Sequence, residues 1–150
     1  MFLLYIVITF SIFFIIWGYR DYQKKDFEKK KLEITNMYSA LISDINTDYS
    51  HDKLHAKSIR DISISITNLT DKIEQISKNR EMKIHRNGEW IFNLMSEYRK
   101  NIQLWIHYHT TKLSSQSEVM EKMESTENSI AQVQLAKQRI DHQIHLYSKI

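Results

Sequence analysis

Residues 59–76 read IRDISISITNLTDKIEQI, and aliphatic residues recur in them at spacings of three, four, three, four and three. The six positions are Ile59, Ile62, Ile66, Leu69, Ile73 and Ile76. This heptad pattern predicts a helix with one apolar seam that packs against another helix. Residues 61–66 also alternate with a period of two, which is typical of a strand. The three-four spacing continues on both sides, however, and no second β-like segment is present to pair with such a strand.

A second heptad pattern occupies the C-terminal part of the chain. Its seam positions are Val119, Met123, Thr126, Ile130, Val133, Lys137, Ile140, Ile144 and Tyr147. Ser115 and Glu118 have the spacing of a capping box at the start of this helix. Polar residues at Thr126 and Lys137 are typical of a coiled coil with a specified register or partner number. The partner helix can be the 59–76 seam folded back, a second copy of the chain, or a different protein.

Residues 89–113 form an aromatic-rich segment between these two patterns. Ile91, Met95, Tyr98, Ile102, Trp105 and His109 recur at spacings of four, three, four, three and four, which predicts a third helix. Further large residues widen its apolar arc, so more than one neighbour must cover it. An ordinary core helix is the favoured interpretation. The alternative is a partner-docking face formed by Trp90, Phe92, Met95, Tyr98, Ile102, Trp105 and Tyr108.

Helix-breaking residues are scarce after residue 19, where the chain has no proline and a single glycine, Gly88. A first amphipathic stripe runs from Phe27 to Tyr49 and lapses at residues 50–52. Asn87-Gly88 is the clearest turn signal. Long helices joined by short turns are therefore predicted.

An unbroken apolar run, FLLYIVITFSIFFIIW, occupies residues 2–17. As a helix, residues 1–19 reach about 27 Å, close to the roughly 30 Å of a bilayer's hydrocarbon core. Without a basic start or a small-x-small cleavage site, the run predicts an uncleaved transmembrane anchor and not a signal peptide. Trp17 and Tyr19 are expected at the level of the lipid headgroups.

A basic cluster follows this run and consists of Arg20, Lys24, Lys25, Lys29, Lys30 and Lys31. Because Lys and Arg beside a transmembrane helix are retained in the cytoplasm, residues 20–150 are predicted to be the cytoplasmic part of a single-pass membrane protein. The cluster is also expected to attract anionic lipid headgroups, at about 1 kcal/mol per basic residue.

Composition excludes several classes of activity. The net charge is only +3, and the later basic residues alternate with acidic ones as on a solvated helix face, so no nucleic-acid partner is predicted. Two glycines leave no phosphate-binding loop, the chain has no cysteine, and no serine lies in a nucleophile elbow. The sequence predicts no enzyme activity, no cofactor and no small-molecule substrate.

Histidine is the remaining residue type that could hold a metal. His51 and His55 are four apart and His142 and His145 are three apart, spacings that place each pair on one helical face. The first pair has Asp52 where zinc hydrolases need Glu, and no third ligand is close in sequence. Surface or interface roles are therefore expected, and no metal site is predicted.

The predicted fold is all-α, with long amphipathic helices that form a coiled coil or a helical bundle. Its parts are a transmembrane anchor (1–19), a basic juxtamembrane segment with the first amphipathic helix (20–50), a heptad helix (51–86), an aromatic-rich helix (87–113) and a C-terminal coiled-coil helix (114–150). In layout, the chain resembles bitopic bacterial division proteins with a helical cytoplasmic rod. It also resembles the inner-membrane subunits of phage spanins.

The predicted function is a helical coiled-coil scaffold or adaptor that binds protein partners at the membrane. The partner is a second copy of the chain or another helical protein. The spanin resemblance implies instead an exported rod that joins the inner membrane to an outer-membrane lipoprotein during host lysis, although the basic cluster predicts the opposite topology. A small accessory subunit of a larger membrane complex is a further alternative.

Overall fold

The structure, a computed structural model, describes residues 2–51, 54–115 and 120–149, with the side chains of residues 2–4, 56 and 120–123 left out. Its helices are α1 (Phe2–Tyr49), α2 (Ala56–Ser77), α3 (His85–Ser115) and α4 (Met120–Tyr147), and a 3₁₀ helix covers Arg80–Lys83. No strand occurs within these ranges, so the all-α prediction is confirmed. Residues 61–66 are helical, as the three-four spacing predicts, because their seam positions share a core with residues on both sides.

The helices form a four-helix bundle in which α1 packs beside α2 and α3, and α4 completes the ring beside α2 and α3. Helix α2 runs antiparallel to α1, since Lys72 pairs with Glu33 and Ser58 hydrogen-bonds to Asp48. Helices α2 and α3 lie diagonally opposite each other, with α1 and α4 between them. The 3₁₀ helix that joins α2 to α3 therefore carries the chain across the bundle.

Helices α2 and α4 run parallel to each other. Glu74 binds Arg139 and, further along both helices, the backbone carbonyl of Ser77 accepts a hydrogen bond from Tyr147. The two heptad patterns of the sequence therefore lie side by side and point the same way within one chain.

The core is one continuous cluster to which every helix contributes. It begins at Phe27, so only the second half of α1 belongs to the bundle. Its largest fully buried side chains are Trp105, Tyr98 and Phe27. Long apolar side chains at heptad spacing fill this core because each helix presents one stripe to its neighbours.

The turn between α2 and α3 lies earlier than the sequence predicts. Asn87 and Gly88 belong to the first turn of α3, and the chain reverses at residues 78–84 instead. Asn79 decides this position, because its side chain accepts a hydrogen bond from the Glu81 amide at 3.0 Å. The side chain of Asn87 donates to the Glu81 carbonyl and ties the turn to α3.

Helix α1 continues without interruption from the apolar run into the bundle. Large apolar side chains from Tyr5 to Trp17 are exposed, and the core begins only at Phe27. Within the residues that the structure describes, no helix is both long enough and apolar enough to cross a membrane, and the predicted transmembrane anchor is thus not supported by the fold.

Candidate functional site

The predicted seams lie inside the bundle. All six α2 seam residues are at most 4% exposed, and Ile130, Val133 and Ile140 of α4 are buried in the same cluster. Ile144 and Tyr147 are half-buried against it, whereas Val119 and the side chain of Met123 fall outside the described residues. Of the three partners that the sequence leaves open, the structure brings together the two seams of one chain.

The predicted partner face is also largely internal. Met95, Tyr98, Ile102 and Trp105 are all 0% exposed, and Trp90, Phe92 and Tyr108 are partly buried. This placement agrees with the favoured interpretation of an ordinary core helix. An apolar arc of this width is covered because α3 lies between α1 and α4.

Tyr98 joins α3 to α2 through its hydroxyl group. The hydroxyl donates to the backbone carbonyl of Ile66 at 2.7 Å and lies 3.1 Å from the Thr70 hydroxyl. Burial raises the pKa of Tyr98, because the phenolate would lose its hydration. The satisfied hydroxyl allows a large aromatic side chain to fill the centre of the core at little cost.

A buried polar pair, Asp48 with His109, lies at the end of the bundle that is far from the apolar run. Asp48 Oδ2 and His109 Nε2 are 2.7 Å apart, and the two side chains are 5% and 2% exposed. Ser58 donates a hydrogen bond to the other carboxylate oxygen at 3.3 Å. The ring of Trp105 packs on His109 with centroids 4.5 Å apart. Three helices thus meet at one carboxylate.

This pair lacks the order that nucleophilic catalysis requires. In a Ser-His-Asp triad the imidazole lies between the hydroxyl and the carboxylate. Here the carboxylate of Asp48 lies between His109 and Ser58, and His109 Nδ1 has no hydrogen-bond partner among the described residues. The geometry favours a structural role in holding α1, α2 and α3 together.

A shallow groove of about 520 Å³ lies beside this pair, on the outer surface of α1 and α3. Tyr49 and Tyr108 form part of it, with ring centroids 4.6 Å apart. Burial, helped by the negative charge of Asp48 and by Tyr108, raises the pKa of Tyr49 to about 12. Lys112 donates to the backbone carbonyl of His51 at 2.7 Å and so ties the α1–α2 loop to α3.

An ion-pair network crosses from α4 to α2. The guanidinium group of Arg139 donates two hydrogen bonds of 2.8 Å to the carboxylate of Glu74, and a further one to Asp71. These hydrogen bonds hold the pKa of Glu74 below its usual value. Bidentate geometry of this kind restricts the register of two helices more tightly than a Lys pair does.

Sequence reasoning did not single out Asp48 or Arg139. Asp48 continues the stripe of Leu41 and Ile45 at helical spacing, and this spacing indicates a buried position. The position was missed because a carboxylate is not expected in an apolar stripe. Arg139 had no such signal. Ala136 enters the core where Lys137 was the predicted seam residue, and Lys137 instead forms a 2.7 Å ion pair with Asp141.

Among the residues that the structure describes, the histidine pairs do not converge with other ligands. His51 and His55 have ring centroids 5.4 Å apart, but Asp52 between them falls outside the described residues. His142 and His145 are exposed. Over the described part of the chain, no group of three or more His, Asp or Glu side chains is placed to hold a metal ion.

The predicted membrane-interface residues lie along the first half of α1. Trp17, Tyr19 and Arg20 are exposed, as are Lys24, Lys25, Lys29 and Lys30. Lys25 and Lys30 form ion pairs with acidic residues one turn earlier, at 2.7 and 2.6 Å. Lys31 lies over the ring of Trp90 at 5.0 Å and connects this segment to the beginning of α3.

No family model matches the chain, and no similar protein is found among curated proteins or solved structures.

Proposed function

We propose that this protein is a membrane-attached helical adaptor. Residues 2–19 attach it to the lipid, and the bundle that begins at Phe27 presents its outer surface to protein partners without performing catalysis. One observation carries the proposal. A single uninterrupted helix, α1, joins an exposed apolar segment to the packed core.

The exposed apolar segment needs a cover. Ile6, Phe10, Phe13 and Ile16 are among its side chains, and from Tyr5 to Trp17 the large apolar residues are 41–71% exposed. Contiguous apolar surface of this extent on a protein marks a lipid or protein contact. In the sequence, Phe2-Leu3-Leu4 lengthens this apolar run. A single protein neighbour covers only one side of a helix, whereas lipid tails cover all sides, so lipid is the favoured cover for a helix that is apolar all round.

The bundle beyond this segment completes its core within one chain. The two seams and the aromatic-rich helix pack against each other in one core. Contacts with a protein partner are therefore expected on the outer surfaces of the helices. A filled core favours a chain that is stable alone, which the accessory-subunit alternative does not predict. The part of α1 that belongs to the bundle, residues 27–49, is about 33 Å long. Because the chain folds back three times along this length, the bundle is short, and a compact adaptor is favoured over an envelope-spanning rod.

Membrane attachment is tested by flotation of the full chain from a bacterial host with and without alkaline carbonate. The wild-type chain is expected in the lipid fraction. The double variant Ile12→Lys, Ile15→Lys is expected to leave it, because two charges in the hydrocarbon core are costly. The matched control is Ile64→Lys, Leu135→Lys, which charges two exposed aliphatic residues of the bundle. A soluble wild-type chain would overturn the proposal.

Orientation is tested by reporters fused after Ile150, one active in the cytoplasm and one active in the periplasm. The basic cluster of residues 20–31 favours a cytoplasmic bundle. Activity of the cytoplasmic reporter alone supports the adaptor in that compartment. Activity of the periplasmic reporter would reverse the orientation and favour the envelope-spanning alternative.

A further inference from the structure

We infer that the turn between α2 and α3, together with the first two residues of α3 (residues 78–86), is a second membrane-contacting surface that binds anionic lipid headgroups. The inference rests on the proposed attachment of α1 to the membrane, and it adds a surface that is remote from α1 in sequence. We name residues 78–86 the basic turn.

Two contacts place the basic turn beside the membrane end of the bundle. Lys72 pairs with Glu33 at 3.0 Å and α2 runs antiparallel to α1, so the end of α2 lies at the level of α1 residue 28. Lys31 lies over Trp90, and α3 runs parallel to α1, which brings the start of α3 to the level of residue 26. The two registers put the turn about 10 to 14 Å along the helix axis from Tyr19.

That distance is short enough for headgroup binding. The polar layer on each side of a bilayer is about 5–8 Å thick, and the Debye length at physiological ionic strength is about 8 Å. With Tyr19 at the headgroup level, the basic turn lies just beyond the outer edge of that layer and within about one Debye length of it. Flexible basic side chains extend its reach toward phosphate groups.

The turn exposes positive charge together with one aliphatic side chain. Lys78, Arg80, Lys83 and Arg86 are all exposed, and within the described residues none of them forms an ion pair. Ile84, between Lys83 and Arg86, is 51% exposed. An exposed aliphatic residue flanked by cations suits the boundary between headgroups and acyl chains, where each type of side chain has a favourable partner.

The charge of the whole chain is distributed to match this surface. Residues 20–31 and 78–90 together contain ten basic and five acidic residues, whereas the chain contains 21 and 18. The remaining residues therefore carry more acidic than basic groups. Two segments from different parts of the sequence meet at one end of the bundle and hold its positive excess, which orients the bundle on an anionic surface.

The test uses the full chain reconstituted in vesicles, and the absence of native cysteine permits a single label. An environment-sensitive fluorophore is attached to His85→Cys in the basic turn or to Ser50→Cys at the far end; both positions are exposed. Vesicles are phosphatidylcholine alone, or contain about one third phosphatidylglycerol. We expect a blue shift of the residue 85 label in anionic vesicles only, and none for the residue 50 label.

Two charge variants separate lipid contact from other effects. The variant Arg80→Gln, Lys83→Gln, Arg86→Gln is expected to lose most of the blue shift. The matched variant Lys57→Gln, Arg60→Gln, Lys100→Gln removes the same charge from exposed positions elsewhere and is expected to keep it. Raising salt to about 1 M shortens the Debye length to about 3 Å and is expected to abolish the shift.

Each contrary outcome identifies what has failed. A chain that does not float with either type of vesicle overturns the proposed membrane attachment itself. A chain that floats, but whose residue 85 label behaves as the residue 50 label does, overturns the basic turn alone. A shift produced by inorganic phosphate on the detergent-solubilised chain would assign the turn to a free anion and overturn lipid binding.

Discussion

Asp48 and His109 form a hydrogen bond of 2.7 Å that joins the end of α1 to α3 in the interior of the bundle. The two residues are 61 positions apart, and Ser58 of α2 donates to the same carboxylate. A buried carboxylate with partners on two other helices restricts how three helices meet, because a shifted register leaves polar groups without partners. This end of the bundle therefore depends on directional contacts as well as on apolar packing.

Removal of the Asp48 carboxylate is expected to destabilise the bundle. In Asp48→Ala, His109 and Ser58 lose their partner in a buried site, and the free energy of unfolding should fall by about 2–3 kcal/mol. Asp48→Asn keeps a hydrogen-bonding side chain of the same size and should lose less. The measurement is urea unfolding of the full chain in detergent, followed by circular dichroism.

Asp44→Ala, one turn earlier on an exposed position, is the matched control for Asp48→Ala. It should change the free energy of unfolding by no more than about 0.5 kcal/mol. Equal losses in Asp44→Ala and Asp48→Ala would contradict a structural role for the buried pair.

The helical period of residues 61–66 can be tested at two nearby isoleucines. Ile66 is 0% exposed and Ile64 is 44% exposed, although an alternating strand would place both on one face. Ile66→Ala should cost about 2–5 kcal/mol through lost burial and a cavity, and Ile64→Ala should cost less than about 1 kcal/mol. Thermal unfolding of the two variants in parallel measures the difference. Similar melting temperatures would argue against the α2 register.

Much of the fold could be predicted because the apolar period is strong. In residues 59–76 every heptad position is occupied by Ile or Leu, and all six are buried. The pattern defines the buried face of a helix but not the helix that covers it, because any apolar stripe of the same length satisfies the same geometry. For that reason, the heptad pattern alone could not predict that α2 pairs with α4 of the same chain and not with a helix of a second chain.

The turn and the polar contacts were harder to predict. Asn87-Gly88 is the stronger local turn signal, but Asn79 stops α2 eight residues earlier through a side-chain hydrogen bond to the Glu81 amide. Arg139 is one of several basic residues on α4, and only the parallel register of α2 puts Glu74 within its reach. Such contacts depend on tertiary geometry that local spacing does not contain.

Acid sensitivity should depend on Glu74. Its pKa is lowered in the folded state, first by the hydrogen bonds from Arg139, while the unfolded side chain has the ordinary value near 4.5. Between the lowered pKa of the folded state and the ordinary value near 4.5, the unfolded state binds more protons than the folded state. The contribution of Glu74 to the free energy of unfolding is therefore present above about pH 4.5 and is lost as the pH falls below it. Glu74→Gln should therefore weaken the bundle at neutral pH and reduce its further loss of stability in acid.

The acid prediction is measured by urea midpoints at neutral pH and at successive acidic values. Glu127→Gln, an exposed position of α4, is the control and should follow the wild-type profile. Arg139→Lys keeps the positive charge but not the two-pronged contact, and should resemble Glu74→Gln more closely than the control does. If Glu74→Gln and the wild type lose stability in parallel, the ion-pair network makes no contribution to acid sensitivity.

Alkaline sensitivity should depend on Tyr49. Burial, with help from Asp48 and Tyr108, raises its pKa from 10.0 to about 12. Between these values the unfolded phenol releases its proton while the folded one retains it, so the folded state binds more protons and stability falls as pH rises. Below pH 10 the contribution is constant. Tyr49→Phe removes this proton linkage and should make the decline of the unfolding free energy between about pH 10 and 12 less steep, while Tyr98, whose pKa is also raised by burial, sustains the rest of it.

Tyr22→Phe, on an exposed side chain of α1 outside the bundle, is the matched control for Tyr49→Phe. It should leave the alkaline decline as in the wild type. Urea unfolding across the pH series measures the decline.

The tyrosinate absorbance of the folded chain measures ionisation of the tyrosines directly. In this titration Tyr49→Phe should delete a late-titrating component near pH 12. Because the negative charge of Asp48 is one of the causes that raise the pKa of Tyr49, Asp48→Ala should move that component toward the ordinary tyrosine range. A late component that persists unchanged in Tyr49→Phe would assign it to another buried tyrosine, such as Tyr98, and would show that the Tyr49 phenol is hydrated in the folded protein.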